Sequence, residues 1–238
     1  MQKEKISLVV FDMAGTTVNE DNVVYKTLRD AVNSLGHDFS LDTVLLVGGG
    51  KEKFQAVKDI LSPVYDDPGQ LEADAKVAFQ YFLDHLKVAY EKLNVVAYAG
   101  AQELFGYLQK RGVKVVLNTG YNRATATSLV QKLNWEEGRD FDLLVTASDV
   151  SNSRPAPDMI VLAMERLGID EAEKVAKVGD SIIDIEEGKA AGCGLNIGIT
   201  TGAQTKDQLA TANPDLIIDS LLEMKDQVKF KDSELQQI

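Results

Sequence analysis

The chain has 238 residues, of which 45% are apolar and 26% charged, enough core material for one large domain or two unequal ones. Acidic residues outnumber basic ones by 37 to 25, and the net charge of −12 disfavours nonspecific binding to nucleic acid or to an anionic membrane. A single cysteine, Cys193, excludes an intrachain disulfide, and because no stretch resembles a signal peptide or approaches the ~20 apolar residues of a membrane span, we expect a cytoplasmic protein.

The first predicted strand, residues 6–11, is an apolar run followed directly by the segment DMAGTT. Ligands bind at the carboxyl edge of parallel α/β sheets, so we expect Asp12 to point into a site there. A carboxylate beside Gly15 and two threonine hydroxyls can serve as a nucleophile, a metal ligand or both. An isolated aspartate in such a turn is more often a structural cap, so other segments must decide between these interpretations.

Residues 18–95 are predicted to form an all-helical insertion after the first strand. Apolar residues recur there at helical spacing, and the last set, over residues 71–93, predicts a helix of roughly 23 residues, about 35 Å long. Because the insertion leaves and re-enters the core beside the end of the first strand, we expect it to lie over Asp12 as a cap. The predicted domains are therefore a core of residues 1–17 and 96–238 and a cap of residues 18–95.

The remainder of the chain alternates between strand-like and helix-like segments. Short β-branched runs occur at residues 113–117, 141–145, 174–178, 195–199 and 216–218. Helix-length segments connect them at residues 101–111, 122–134, 157–168, 182–191 and 203–212. This alternation predicts an α/β fold with a parallel sheet and right-handed crossover helices.

Polar groups follow two of these later segments. Thr119 and Gly120 end the strand at 113–117, where a hydroxyl and the N–H groups of a helix start can clamp a phosphoryl group. Arg154 lies in a proline-containing loop, and its fixed charge can bind phosphoryl oxygens and hold the Asp12 carboxylate in place. Each feature alone is weak support, and a solvated surface arginine is the ordinary alternative.

Two further carboxylates follow the predicted strand at 174–178. Asp180 lies at the turn, and Asp184 comes one helical turn later. If Asp12 and Asp180 end neighbouring strands, they can share a divalent cation, and oxygen ligands favour Mg²⁺. An N-cap and a surface aspartate are the alternative interpretation of this pair.

Taken in order, these segments resemble the four loop motifs of the haloacid dehalogenase superfamily of aspartyl-nucleophile hydrolases. The resemblance covers most of the chain, and the helical insertion after the first motif looks like the cap of that superfamily. It implies a Rossmann-like core with an inserted α-helical cap, and a covalent aspartyl-phosphate intermediate. It also implies Mg²⁺ held by Asp12, the backbone carbonyl of Ala14 and Asp180, with Asp184 beside them.

Two positions depart from the commonest pattern of that superfamily. Its phosphatases usually place an acid/base aspartate two residues after the nucleophile, but this position is Ala14, and a methyl group cannot transfer a proton. The cation of the third motif is Arg154, where most members have lysine. Both departures resemble the phosphonatase-like branch, and they predict a leaving group that needs little protonation.

In the phosphonatase-like branch, a cap lysine forms a Schiff base with a substrate aldehyde, and the iminium accepts the electrons of the breaking C–P bond. Lys51 occupies the matching place, after Gly48–Gly50 and at the predicted start of a helix. The positive end of a helix dipole disfavours an ammonium there and so favours a nucleophilic amine. The glycine run would let cap backbone approach a ligand closely. An exposed lysine at a helix end is the alternative.

Two cap positions differ from the phosphonatase-like branch. Val47 replaces a methionine, and Phe54 replaces a histidine that assists proton transfer at the amine, whereas Tyr121 after Thr119 and Gly120 is retained. The chain thus resembles a phosphonatase-like hydrolase, and a different substrate is open to it.

We therefore predict a Mg²⁺-dependent hydrolase that acts on a small anionic metabolite, most simply by C–P bond hydrolysis assisted by Lys51. The alternatives are a phosphate monoester phosphatase with a substrate of phosphoglycolate size, and a non-catalytic binder of phospho-metabolites. The predicted catalytic residues are Asp12, Lys51 and Arg154. The predicted phosphoryl-binding residues are Gly15, Thr16, Thr119, Gly120, Tyr121 and Arg154. The predicted metal-binding residues are Asp12, Ala14, Asp180 and Asp184. The sequence predicts neither the oligomeric state nor the exact substrate.

Overall fold

The computed structural model of the chain describes residues 5–49 and 51–231. Its strands are β1 (Leu8–Asp12), β2 (Val18–Asn19), β3 (Val96–Ala97), β4 (Lys114–Thr119), β5 (Leu143–Thr146), β6 (Val175–Gly179), β7 (Leu195–Ile199) and β8 (Leu216–Ile218). Its α-helices are α1 (Val23–Asn33), α2 (Leu41–Gly48), α3 (Lys53–Leu61), α4 (Pro68–Lys92), α5 (Ala101–Gln109), α6 (Arg123–Lys132), α7 (Asp158–Leu167), α8 (Ile182–Ala190), α9 (Lys206–Thr211) and α10 (Met224–Gln227). Short 3₁₀ helices cover Ser62–Val64, Ala147–Asp149, Ala172–Lys174 and Leu221–Glu223.

The described residues divide into two compact units. One contains the residues up to Asn19 together with those from Val95 onward, and the other is Glu20–Asn94. The chain leaves and rejoins the first unit through β2 and β3, which pair antiparallel as a two-stranded ribbon. Among the described residues, no helix is both long and apolar enough to cross a membrane.

The first unit is built on a six-stranded parallel sheet in the order β5-β4-β1-β6-β7-β8. The predicted α/β fold with a parallel sheet is therefore confirmed. Strand β1 is central and buried along its whole length, as expected for a continuous apolar run in a sheet covered on both faces. The order places the ends of β4, β1 and β6 side by side, and Asp12 is paired in register with Asn118 of β4.

Two differences from the predicted boundaries have local causes. Strand β5 begins two residues later than predicted because Asp142 caps the neighbouring strand, accepting a hydrogen bond from the backbone N–H of Val115 at 2.8 Å. Helix α9 begins at Lys206 instead of residue 203 because Thr205 and Gln208 form a reciprocal capping box. Residues 203–205 therefore lie in the loop that follows β7.

The second unit is helical and contains α1 to α4. Helices α1 and α3 both pack against α4, whose 25 residues slightly exceed the predicted length of about 23. Asp67 caps α4 through the backbone N–H of Gly69, and Pro68 occupies the first turn, where its missing N–H costs nothing. Phe54 of α3 is half-buried, and its ring centroid lies 5.3 Å from that of Phe79 on α4.

Candidate active site

Three aspartates meet at the carboxyl edge of the sheet. Asp12 is the last residue of β1, Asp180 follows β6, and Asp184 lies in the first turn of α8. One carboxylate oxygen from each of these residues lies within 4.8 Å of the others, and all three side chains are buried. The strand order explains this meeting because β1 and β6 are neighbours, so their ends open into the same crevice.

The guanidinium of Arg154 contacts two of these carboxylates. Its Nη1 atom donates to Oδ1 of Asp12 at 2.7 Å and lies 3.0 Å from Oδ1 of Asp184. Its Nη2 atom donates to the backbone carbonyl of Asn118 at 2.8 Å and also to the side-chain Oδ1 of that residue. Because the side chain of Arg154 is only 10% exposed, these contacts hold Asp12 in one orientation.

Sequence analysis overlooked three buried residues beside this arginine: Asn118, Lys177 and Glu187. Oε2 of Glu187 lies 3.2 Å from Nε of Arg154 and 3.0 Å from Nζ of Lys177. A lysine in a strand buried on both faces is anomalous, and this anomaly was a usable signal for Lys177. Glu187 is three residues after Asp184 on α8, so helical spacing places both on one face.

The surroundings of Asp180 leave no room for larger neighbours. Gly15 has φ +84°, and a Cβ atom there would lie 2.4 Å from Oδ2 of Asp180, so glycine is required on both grounds. The backbone N–H of Ala203 donates to the same Oδ2 at 2.6 Å, and the Thr16 hydroxyl donates to Oδ1 at 3.5 Å. The loop after β7 is thus a fifth segment of the site, which the four motifs do not include.

The structure describes the remaining predicted phosphoryl-binding residues at the end of β4. The Thr119 hydroxyl is buried and accepts a hydrogen bond from the backbone N–H of Tyr121 at 3.2 Å. Gly120 is exposed, and apart from its chain neighbours no atom of the described residues lies within 4 Å of the position that a Cβ would take. Contacts of these residues with a phosphoryl group stay a prediction.

The pKa values of the three aspartates are shifted in different directions. Burial raises the pKa of Asp12 to about 6, against the opposing effect of the Arg154 guanidinium. Burial, together with the charges of Asp12 and Asp184, raises the pKa of Asp180 well above its usual value. Burial acts in the same direction on Asp184, but Arg154 and Lys177 outweigh it and lower its pKa. A bound cation would favour the ionised forms of Asp12 and Asp180.

The side chains of this cluster fit a divalent cation. Within the described residues, the cluster contains the carboxylates of Asp12, Asp180, Asp184 and Glu187 and the cations of Arg154 and Lys177. With all of them ionised, the cluster carries two more negative than positive charges, which a divalent cation would neutralise. Donor atoms that are all oxygen favour a hard ion such as Mg²⁺ over a soft one.

Lys51 belongs to the helical unit, and the prediction that it starts a helix is wrong. Helix α3 begins at Lys53, and its N-cap is Glu52, whose carboxylate accepts hydrogen bonds from the backbone N–H groups of Phe54 and Gln55. Lys51 therefore lies directly before the cap, two positions before the first helical residue. Its Nζ atom instead donates to Oδ2 of Asp59 at 2.5 Å, forming a half-exposed ion pair.

Gly48, the first residue of the predicted glycine run, packs within the helical unit. Gly48 is the last residue of α2, and a Cβ there would lie 3.3 Å from Ala56 and 3.5 Å from Ile60. It thus permits close contact between helices of this unit, and close approach of the glycine run to a ligand stays a prediction. Gly50, the third residue of the predicted glycine run, lies outside the described residues.

Comparison with known proteins identifies the family to which the chain belongs. The family model described as haloacid dehalogenase-like hydrolase matches residues 6–192. A relative from Dickeya dadantii, named probable phosphatase IndB, is 29% identical over 91% of this chain and 91% of its own. The phosphonoacetaldehyde hydrolase of Latilactobacillus sakei is also 29% identical, over 82% of this chain and 75% of its own.

A solved structure extends the likeness to the fold. The crystal structure of a phosphonoacetaldehyde hydrolase-like protein from Oleispira antarctica aligns with a TM-score of 0.78 at 21% identity, covering 94% of this chain and 92% of that one. The match to the family model confirms the resemblance inferred from the motifs and the prediction that the chain is an enzyme. The chain belongs to the haloacid dehalogenase-like hydrolases.

Proposed function

We propose that this hydrolase acts on a small phosphonate or phosphorylated metabolite and that Asp12 is its nucleophile. The observation that carries the proposal is the contact of Arg154 with Asp12 beside Asp180 and Asp184. Arg154 binds Oδ1 of Asp12, and in this proposal the other carboxylate oxygen attacks the phosphorus atom. A buried carboxylate fixed by an arginine needs little reorganisation before it reacts.

The other residues of the site have supporting roles in the proposal. Asp12, the carbonyl of Ala14 and Asp180 would hold Mg²⁺, which supplies neutralisation of charge at the phosphoryl oxygens when bound. The hydroxyls of Thr16 and Thr119 and the backbone N–H groups after Asp12 would bind the same oxygens. Water finally hydrolyses the aspartyl-phosphate, which releases phosphate and restores the carboxylate.

Ala14 restricts the kind of leaving group. General acid or base assistance is worth roughly 10²–10⁴ in rate, and the methyl side chain of Ala14 cannot supply it. A substrate whose leaving group departs as a stabilised carbanion or a weakly basic oxyanion avoids this loss. A carbonyl-bearing phosphonate meets the requirement, provided that an amine converts its carbonyl into a better electron acceptor.

Lys51 is the amine that we assign to this step. Its Nζ adds to the aldehyde carbon of phosphonoacetaldehyde, and loss of water gives an iminium. The C–P bond then breaks, its electron pair is taken up by the iminium to form an enamine, and phosphorus bonds to Asp12. Protonation and hydrolysis of the enamine release acetaldehyde and return the amine of Lys51.

Asp59 is the group that we assign to proton transfer at this amine. An ammonium must lose a proton before it can add to a carbonyl, and the Asp59 carboxylate is its direct partner. The amide of Gln55 donates to the other oxygen of Asp59 at 2.7 Å and so fixes the carboxylate. Asp59 would thus do what Phe54 cannot, since Phe54 stands where the phosphonatase-like branch has histidine.

Trapping with borohydride tests the lysine step. The enzyme is incubated with phosphonoacetaldehyde and sodium borohydride, and its peptides are analysed by mass spectrometry. We expect a reduced adduct on Lys51 and none on Lys58, a control lysine of the same unit that is paired with Glu72 at 2.9 Å. Release of phosphate from phosphonoacetaldehyde without any adduct on Lys51 would contradict this step.

A phosphate monoester phosphatase is the second candidate, and the Lys51–Asp59 ion pair favours it. Burial opposes the change, but hydrogen bonds from Lys51 and Gln55 lower the pKa of Asp59, so the group that faces Lys51 is an ionised carboxylate. An ammonium binds an anionic substrate without covalent chemistry. Under this alternative, small phosphate esters are hydrolysed faster than phosphonoacetaldehyde, and Lys51→Arg retains most activity.

A further inference from the structure

We propose that Lys177 and Glu187 form a positioning pair that orients the guanidinium of Arg154 and, through it, the carboxylate of Asp12. The inference rests on the proposed function of Asp12. Lys177 lies on β6 and Glu187 on α8, both are 0% exposed, and Nζ lies 3.0 Å from Oε2. Neither residue belongs to the motifs that carry the family resemblance.

Glu187 contacts Arg154 directly at Nε, and Lys177 is linked to it through Glu187 and Asn118. Oε2 of Glu187 lies 3.2 Å from Nε of Arg154, and its Oε1 accepts a hydrogen bond from the side-chain amide of Asn118 at 3.0 Å. Oδ1 of Asn118 accepts from both Nζ of Lys177 and Nε of Arg154, each at 3.1 Å. At Nε the guanidinium thus donates a hydrogen bond to Asn118 and forms an ion pair with Glu187, whereas Nη1 contacts Asp12.

Lys177 also offsets part of the negative charge around Arg154. Three carboxylates, those of Asp12, Asp184 and Glu187, lie within 3.2 Å of Arg154. Lys177 pairs with Glu187 and lies 3.1 Å from Asp184, so it offsets negative charge that Arg154 would otherwise meet alone. The positive charge of Arg154 therefore remains available to Asp12 and to a phosphoryl anion.

Stability alone does not account for the pair. Burying two charges carries a desolvation penalty of several kcal/mol per ion, and apolar replacements of similar volume are often equally stable. The local structure nevertheless accommodates the pair closely, because a Cβ at Gly188 would lie 2.8 Å from Cβ of Lys177. The helix carrying Glu187 thus approaches the strand carrying Lys177 closely, as a direct ion pair requires.

The first test uses the unaltered, metal-free protein. Arginine is labelled with ¹⁵N, and the Nε–H signal of Arg154 is assigned by its loss in Arg154→Lys. We expect its hydrogen exchange to be at least about 10-fold slower than that of Arg166, a surface arginine without such partners among the described contacts. Equally fast exchange of both signals would overturn the proposal, whether or not the protein is catalytically active.

The second test removes both charges together, which avoids leaving one unpaired in the core. In Lys177→Met/Glu187→Gln we expect exchange at Arg154 to be at least about 10-fold faster, with kcat for p-nitrophenyl phosphate about 10 to 100 times lower and KM within about twofold. The control is Lys114→Met/Asp142→Asn. It removes a 2.7 Å ion pair at the first residue of β4, which is the end of this strand away from Asp12. We expect the control to match the unaltered protein.

Unchanged exchange at Arg154 and unchanged kcat in the double variant would refute the positioning role. If the double variant does not fold, Glu187→Gln alone is measured with the same expectations. Absence of any hydrolysis by the unaltered protein would reject the proposed function, and the exchange measurement would still decide whether the pair orients Arg154.

Discussion

Nη1 of Arg154, in the loop before α7, donates at 2.7 Å to Oδ1 of Asp12, the last residue of β1. Arg154 also binds Asn118, the residue paired in register with Asp12 on the neighbouring strand. The arginine thereby links the proposed nucleophile to the adjacent strand, and it does so with three different nitrogen atoms. A lysine could supply the charge of this contact but not its geometry.

Arg154→Lys is therefore expected to lower kcat about 100-fold, although the charge is retained, because a compact ammonium lacks the planar set of three nitrogen atoms that binds Asp12 and both acceptors of Asn118. Steady-state kinetics with p-nitrophenyl phosphate measure this effect. Arg123→Lys, which alters a half-exposed arginine paired with Asp149, is the matched control and should retain normal kcat. Equal activity of both variants would show that the geometry of Arg154 is unimportant.

Metal removal should change stability in a pH-dependent manner. The pKa of Asp12 is raised to about 6 and that of Asp180 is raised well above its usual value, whereas both are about 3.9 in an unfolded chain. The contribution of Asp12 without metal is therefore present below about pH 4 and is lost as pH rises through about 6. The contribution of Asp180 has the same sign, because its pKa is raised as well. Mg²⁺ binds the ionised forms, so it should raise Tm more at pH 7.5 than at pH 5.

Differential scanning calorimetry in EDTA and in Mg²⁺ checks this expectation. Asp180→Asn should abolish most of the Mg²⁺-dependent rise in Tm, because it removes one proposed ligand and one titrating group. The same rise in Tm at both pH values, or a normal rise in the variant, would contradict the assignment of this cluster to the metal.

Ala14→Asp should extend the range of leaving groups. A carboxyl at this position can protonate a departing alkoxide, so hydrolysis of an alkyl phosphate such as phosphoglycolate should rise at least about 10-fold. Hydrolysis of p-nitrophenyl phosphate should change little, because its leaving group departs without a proton. Ala14→Asn is the isosteric control that cannot donate a carboxyl proton. Equal effects of both variants on both substrates would refute this role of position 14.

The Lys51–Asp59 pair gives a separate prediction for the helical unit. Asp59→Asn should slow borohydride-trapped adduct formation on Lys51 at least about 10-fold, because the amide cannot accept the ammonium proton. Lys58→Met, on the same helix, should leave the rate of trapping unchanged. Adduct formation at the normal rate in Asp59→Asn would show that another base removes this proton.

The sequence carried enough information to predict the edge of the sheet at which the aspartates meet. Asp12 and Asp180 each follow an apolar run, and β1 and β6 prove to be neighbours, so the carboxylates converge as expected. The buried residues around Arg154 were harder to predict from the sequence. Lys177 is surrounded by apolar strand residues, and its contacts with Asn118 and Glu187 depend on register and helix placement.

The helical unit shows a different limit of sequence analysis. Lys51 was expected at a helix start, but Glu52 caps α3 through two backbone N–H groups and displaces the start to Lys53. A carboxylate that can accept from the second and third helical N–H groups was visible in the sequence and would have corrected the boundary. The Lys51–Asp59 pair, by contrast, spans eight positions and a change of backbone direction, so only the folded unit reveals it.

Covalent trapping at Asp12 is the most direct measurement of the central claim. The enzyme is quenched during turnover of p-nitrophenyl phosphate with Mg²⁺ and reduced with borohydride, which converts an aspartyl-phosphate to homoserine, and its peptides are analysed by mass spectrometry. Our account predicts homoserine at position 12 in the unaltered protein, and neither homoserine nor turnover in Asp12→Asn. Continued turnover by Asp12→Asn, or homoserine at another aspartate only, would contradict it.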